Sequence, residues 1–82
     1  MSKVQKEDNP YLMALASRIK ELRIERGYTS YEYFAYEKGF SRSQYGRYEK
    51  GEDIRYSSLM KLIEAFGLTP SEFFDERFNG IK

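Results

Sequence analysis

Residues 41–51 read SRSQYGRYEKG and bring together side chains that donate and accept hydrogen bonds. Tyr45 and Tyr48 are three residues apart, so in a helix both lie on the same side, which we predict to be the core side. The opposite side then carries Arg42, Ser43, Gln44 and Arg47. These four side chains face either solvent or a polar groove, and binding through hydrogen bonds is the chemistry that they offer.

The composition excludes several kinds of site. The chain has 82 residues with no Cys and no His, which removes disulfides, thiolate nucleophiles, ordinary zinc sites and imidazole acid–base catalysis. No Asp-rich loop has the spacing of a calcium site. An enzyme would need carboxylates, Lys or Tyr to converge in a pocket, for which one small domain has little room. We therefore predict that the protein is not an enzyme and has no metal and no cofactor.

Capping and apolar residues predict a first helix over residues 10–26. Asp8 or Asn9 can cap it, and Pro10 suits its first turn. Gly27 ends it, because glycine accepts the left-handed conformation that follows many helices. The apolar residues fall on one helical face and are Leu12, Leu15, Ile19 and Leu22.

The next two helices have the spacing of a helix-turn-helix. The second spans about 31–38 after Thr29 or Ser30, and the third spans about 42–49 after Ser41. Three residues suit the turn between them. Ala35 lets the two helices approach closely, Gly39 turns the chain without a Cβ clash, and Phe40 is the apolar plug of the turn.

Two further helices complete the prediction. The fourth spans about 56–66 and ends at Gly67. The run Thr69-Pro70-Ser71-Glu72 is a capping box that opens a short fifth helix, which we expect to carry Phe73, Phe74 and Phe78. The predicted fold class is all-α, a compact bundle of five helices.

The ordered set of these residues resembles the phage-repressor-like (Cro/repressor, Xre-type) helix-turn-helix DNA-binding family. The resemblance covers residues 15–74. It rests on Ile19-x-x-Leu22-Arg23, on Phe34-Ala35-x-x-x-Gly39-Phe40-Ser41, on the run over 41–51, and on residues 59–68 and 70–74. It implies a lambda-repressor-like fold and a sequence-specific, double-stranded DNA-binding transcriptional regulator.

The resemblance also implies which residues meet DNA. Members of the family read base edges from the outer face of the third helix, where this chain has Arg42, Ser43, Gln44 and Arg47. Arginine can bond bidentately to guanine and glutamine to adenine. The alternative is that the two arginines lie on a solvated helix face. Phosphate contacts are expected from Ser30, Tyr31, Ser41, Lys50 and Arg55.

Three more residues concern how the third helix is supported. The family pairs an arginine late in helix one with the glutamate that ends the recognition helix, so Arg23 and Glu49 are expected to form a partly buried, bidentate pair. The alternative is a surface pair of little energetic weight. Gly46 either allows a close approach to DNA or is simply tolerated inside the helix. The hydroxyls of Tyr45 and Tyr48 need partners or solvent.

The chain is expected to divide into a flexible N-terminal extension over 1–9, a DNA-binding domain over 10–78 and a C-terminal tail over 79–82. The net charge is +1, from 14 basic and 13 acidic residues, whereas residues 41–50 carry 3 − 1 = +2. No apolar run is long enough to cross a membrane, so no membrane partner is expected. The absence of Cys is compatible with the cytoplasm, where we expect the protein to act.

Because one short helix reads few bases, two protomers are expected to read two half-sites as a homodimer. The candidate dimer surface is the exposed side of the first helix with Phe73, Phe74, Phe78 and Ile81 of the C-terminal region. The alternative is that Phe73 and Phe74 complete the core of the monomer. A different function is a protein-interaction module, such as the antitoxin partner of a toxin–antitoxin pair, and this function would not need the two arginines of the third helix.

Overall fold

The structure is a computed structural model that describes residues 9–81 of the chain. Its regular elements, in chain order, are α1 (Pro10–Glu25), α2 (Tyr31–Lys38), α3 (Arg42–Glu49), α4 (Tyr56–Ala65), α5 (Pro70–Phe73) and a 3-10 turn (Glu76–Phe78). The predicted all-α fold of five helices is confirmed, and the first four helices begin and end within one residue of the predicted bounds. Of the predicted N-terminal extension, only Asn9 falls within the described residues.

Side-chain caps explain where the first three helices begin. The Asn9 side-chain oxygen accepts the Tyr11 and Leu12 amides at 2.9 Å and 3.2 Å. The Ser30 hydroxyl accepts the Tyr33 amide at 3.1 Å, and the Ser41 hydroxyl accepts the Gln44 amide at 3.3 Å. Each cap satisfies amides that have no partner inside the helix, so local sequence sets these boundaries.

The core lies where the helices meet around the ring of Phe34. This ring is fully buried, and its centroid is 5.1 Å from that of Phe66 and 5.3 Å from that of Tyr45. Burial of one such side chain stabilises the fold by about 1.5–3 kcal/mol. The other fully buried large side chains are Ile19, Leu62, Ile63 and Phe73. Aromatic rings from α2, α3 and α4 therefore hold the helix-turn-helix against the rest of the domain.

The fifth helix is shorter than the sequence predicts, because α5 ends at Phe73 and Phe78 lies in the separate 3-10 turn. Arg18 on α1 explains the early end. Its Nε donates to the Phe73 carbonyl at 2.8 Å and its Nη2 to the Glu72 carbonyl at 3.0 Å. These carbonyls would accept bonds from residues 77 and 76 in a longer helix. Asp75 then caps the 3-10 turn by accepting the Arg77 amide at 3.1 Å.

Candidate nucleic-acid interface

Helix α3 buries one face and exposes the other. Tyr45, Gly46 and Tyr48 are buried. The four side chains predicted to contact bases all lie on the exposed face, namely Arg42, Ser43, Gln44 and Arg47. A helix of eight residues is about 12 Å long, and the major groove is about 12 Å wide. The exposed face of α3 therefore has the dimensions and the donors to lie against base edges.

The C-terminal end of α3 is tied to α1 by the side chains of Arg23 and Glu49. Arg23 Nε donates to Glu49 Oε2 at 2.7 Å and Nη2 donates to Oε1 at 3.0 Å, so the contact is bidentate. The two side chains are only 6% and 9% exposed. Arg23 Nη1 also donates to the Tyr28 carbonyl at 2.7 Å. The hydrogen bond with Glu49 raises the pKa of Arg23, so this pair stays charged and joins α1, the following loop and α3.

The N-terminal end of α3 is fixed by the turn that precedes it. Gly39 has φ +81°, and the Phe40 amide donates to the Ala35 carbonyl at 2.8 Å. Ala35 is fully buried between the helices. Lys61 of α4 also holds the turn, because its Nζ donates to the Gly39 carbonyl at 3.2 Å and lies 4.8 Å from the centroid of the Phe40 ring. No local pattern predicts Lys61, which lies 22 residues from Gly39 along the chain.

The five residues predicted to contact phosphates lie in two places beside α3. Lys50 and Arg55 are exposed on either side of the loop that leaves α3. Ser30 and Ser41 cap α2 and α3 and can still donate their hydroxyl hydrogens. The fifth, Tyr31, borders a groove between the first turns of α2 and α3 together with Glu32, Ser41, Arg42 and Ser43. The structure thus places all five on elements next to the recognition helix.

Gly46 is buried beneath the ring of Tyr31. A Cβ at position 46 would lie 2.9 Å from Tyr31 Cε1 and 3.1 Å from its hydroxyl oxygen, closer than Cβ atoms come in proteins. The ring of Tyr31 also stacks on that of Tyr45, with the centroids 6.2 Å apart. The sequence left open whether Gly46 approaches DNA or is tolerated. The structure gives a third reason, because the missing side chain makes room for Tyr31.

Tyr45 departs from the expectation that its hydroxyl finds a partner or solvent. The residue is 0% exposed, and its hydroxyl oxygen makes no hydrogen bond of ordinary geometry. Burial raises the pKa of Tyr45, and the neighbouring Glu49 carboxylate raises it further. The hydroxyl therefore stays neutral in the folded protein and is a buried polar group beside the Arg23–Glu49 pair.

The outer face of α2 carries exposed aromatic residues that the sequence did not single out. Tyr33 is 55% exposed and Tyr36 is 76% exposed, between the exposed carboxylates of Glu32 and Glu37. Glu37 accepts the hydroxyls of Tyr28 and Tyr33, and it raises the pKa of both tyrosines. This face is acidic and aromatic, in contrast to the cationic face of α3.

Comparison with known families bears directly on this geometry. The helix-turn-helix family model HTH_3 matches residues 19–73, which are 55 of the 82 residues. The chain belongs to this helix-turn-helix family. The family is one of DNA-binding transcription regulators of the Cro/C1, Xre-like type and is not typically enzymatic. No curated protein and no solved structure matches the chain.

The match assigns the helix-turn-helix to α2 and α3 and extends through α5. The family match therefore covers all the contacts described above around α3, including both partners of the Arg23–Glu49 pair. Within residues 9–81, no helix of this helix-turn-helix protein is long and apolar enough to cross a membrane.

Proposed function

We propose that the protein is a sequence-specific regulator of transcription that inserts α3 into the major groove of double-stranded DNA. The observation that carries the proposal is the exposed face of α3, where Arg42, Ser43, Gln44 and Arg47 point away from the core. The helix is held at one end by the Gly39 turn and at the other by Glu49, so its side chains are presented on a rigid support. We assign base contacts to these four residues.

The charge near α3 supports the proposal more strongly than the net charge of the chain. The helix and its C-terminal cap carry Arg42, Arg47 and Lys50, all exposed. The only carboxylate in the same stretch is Glu49, which is neutralised by Arg23. Arg55 adds a further exposed cation after the loop. This side of the domain therefore favours phosphates, and binding should weaken as the salt concentration rises.

We further propose that two protomers bind two half-sites. A helix of eight residues reaches only a few base pairs, and a two-fold arrangement doubles the sequence that is read. The groove formed by Tyr31, Ser41 and Arg42 and the loop cations Lys50 and Arg55 would then hold phosphates on each half-site.

The first experiment is a selection from a randomised duplex library with the intact chain at physiological salt. We expect a motif with two related half-sites whose centres are about 10 base pairs apart, or a multiple of that. The variant with Arg42→Ala and Arg47→Ala should lose the motif. The control variant Lys20→Ala removes an exposed positive charge from α1 instead and should keep it. Recovery of no motif by the wild-type chain would overturn the proposal.

A second candidate function is a module that binds a protein partner, such as the antitoxin of a toxin–antitoxin pair. The exposed Tyr33 and Tyr36 on α2 favour it, because tyrosine is enriched at the centres of protein interfaces. The same pair of arginine replacements discriminates the two functions. A protein partner that stays bound when DNA binding is lost would support the interaction module.

A further inference from the structure

Two segments outside the family match pack against each other. They are the first nine residues of α1, 10–18, and residues 74–81. The Tyr11 hydroxyl donates to the Ile81 carbonyl at 3.3 Å, and Arg18 Nη1 lies 3.5 Å from Asp75 Oδ2. The helix-turn-helix of the family is complete without these contacts, so they build an addition to its surface.

This addition leaves apolar side chains exposed. Tyr11 is 59% exposed and Phe74 is 41% exposed. The ring of Phe74 packs edge-on against that of Phe78 at 5.0 Å, and Phe78 and Ile81 are themselves half-buried. We call Tyr11, Phe74, Phe78 and Ile81 the flank patch. Phe73, by contrast, is fully buried in the core, so the sequence alternative of a purely internal role holds for Phe73 and not for Phe74.

The flank patch lies close to the elements that face DNA. Two residues along α1 from Tyr11, the Met13 sulfur packs against Gly51, which begins the loop between Lys50 and Arg55. The first turn of α1 therefore separates the patch from this loop, and a helix is about 10–12 Å across. A molecule seated on the patch would lie beside the DNA backbone that the loop approaches. A second copy on the neighbouring half-site would occupy that position.

The size of the patch indicates how strongly two copies associate. An aromatic side chain can bury about 150–250 Å², so the exposed parts of Tyr11 and Phe74 together offer on the order of 200 Å². A stable complex buries about 800 Å² on each partner. Even with Phe78 and Ile81 added, the patch is too small to hold a dimer at low concentration. DNA with two half-sites raises the effective concentration of the second copy and removes this limit.

We propose that the flank patch is the surface through which two copies meet, and that they meet on DNA and not before. This inference rests on the proposed function only for its DNA-bound state. The free chain is a monomer at low concentration and self-associates weakly at about 1 mM. On a duplex with two half-sites, the second copy binds about 5- to 150-fold more tightly than the first.

The test compares the wild-type chain with Phe74→Arg and Tyr11→Arg. Tyr36→Arg is the matched control, because it adds the same charge at an exposed aromatic residue on α2. Titrations use duplexes with one or two copies of the selected half-site. We expect both patch variants to lose the cooperativity on two half-sites and to keep the affinity for one half-site. The control should keep both. Thermal unfolding of each variant checks that it is folded, and two patch variants guard against one that is not.

Self-association without DNA separates failure of this inference from failure of the proposed function. Sedimentation equilibrium up to about 1 mM should show weak dimers of the wild-type chain and of Tyr36→Arg, and monomers of both patch variants. This result would support the patch even if no DNA motif were recovered. Cooperativity or self-association that persists in the folded patch variants would overturn the inference, and so would a wild-type chain that remains monomeric at 1 mM and binds two half-sites independently.

Discussion

The ring of Tyr31 on α2 occupies the space that a side chain at position 46 of α3 would need. The distance from an added Cβ to Tyr31 Cε1 would be 2.9 Å. The glycine and the tyrosine are therefore complementary in shape, and the pair sets how closely the two helices of the motif approach. The same contact holds Tyr31 at the groove between the first turns of α2 and α3, where we propose a phosphate contact.

A double-mutant cycle tests this complementarity. Alanine in a helix interior is about 1 kcal/mol more favourable than glycine, so Gly46→Ala should stabilise the fold unless the Tyr31 ring opposes it. We expect no gain from Gly46→Ala alone and a gain of about 1 kcal/mol when Tyr31→Ala is also present. Urea unfolding of the four proteins gives the coupling energy. Equal effects in both backgrounds would show that the ring moves aside freely.

The Tyr31–Gly46 pair also illustrates what the sequence could and could not predict. Ser41 and Gly39 act on the residues next to them, so the sequence alone predicted where α3 begins and where the chain turns. Arg18 ends α5 from 55 residues away, a distance at which no local pattern operates. The early end of α5 therefore could not be foreseen. Gly46 was noticed, but its explanation required knowing which ring lies above it.

The site shows the same division. The exposed and buried faces of α3 follow from the spacing of Tyr45 and Tyr48, which the sequence shows directly. The expectation of a contact between Arg23 and Glu49 came from resemblance to a family, not from spacing. The support of the turn by Lys61 was missed, because a lysine on an exposed helix face has no distinguishing pattern. Contacts between distant helices are thus the part that the sequence does not reveal.

Loss of one partner of the Arg23–Glu49 pair should be costly. With the two side chains 6% and 9% exposed, Glu49→Ala leaves a buried guanidinium without its counter-ion, and we expect a loss of about 3 kcal/mol in the free energy of unfolding. The exposed pair of Glu25 and Arg26, 3.8 Å apart, provides the control, and Glu25→Ala should cost less than about 0.5 kcal/mol. Chemical unfolding measures both.

The double variant Arg23→Met with Glu49→Leu separates stability from orientation of α3. Apolar replacement of both partners should recover most of the stability lost in Glu49→Ala. If the pair orients the recognition helix, this folded variant should still bind DNA more weakly than the wild-type chain. Wild-type affinity in the double variant would limit the pair to a role in stability.

Replacement of Tyr45 by Phe should stabilise the protein. The hydroxyl is buried without a hydrogen-bond partner, and such a group costs about 1–3 kcal/mol. We expect Tyr45→Phe to raise the free energy of unfolding by about 1 kcal/mol in urea at pH 7. Tyr48→Phe, on the same helix, is the control and should change it little. A loss of stability in Tyr45→Phe would mean that the hydroxyl makes a favourable contact with Glu49 or Arg23.

The same hydroxyl should make the fold sensitive to alkali. Burial raises the pKa of Tyr45 in the folded state above the value of about 10 in the unfolded chain. Below pH 10 both states keep the proton. Above it the unfolded state releases the proton first, so the free energy of unfolding falls by up to about 1.4 kcal/mol per pH unit for this group. Urea midpoints at pH 7 and at about pH 10.5 should therefore differ less for Tyr45→Phe than for the wild-type chain.

Arg47 and Lys50 should differ in what they contribute to DNA binding. Arg47 lies on the exposed face of α3, whereas Lys50 lies just past its end. We expect Arg47→Ala to reduce discrimination at one base position by about 1–3 kcal/mol. Lys50→Ala should weaken binding to all sequences alike and lower the slope of log affinity against log salt by about 1. Titrations of the selected duplex and of single-base variants, at several salt concentrations, measure both quantities. Lys20→Ala should change neither. An unchanged base preference in Arg47→Ala would place Arg47 outside the contacts that read the sequence.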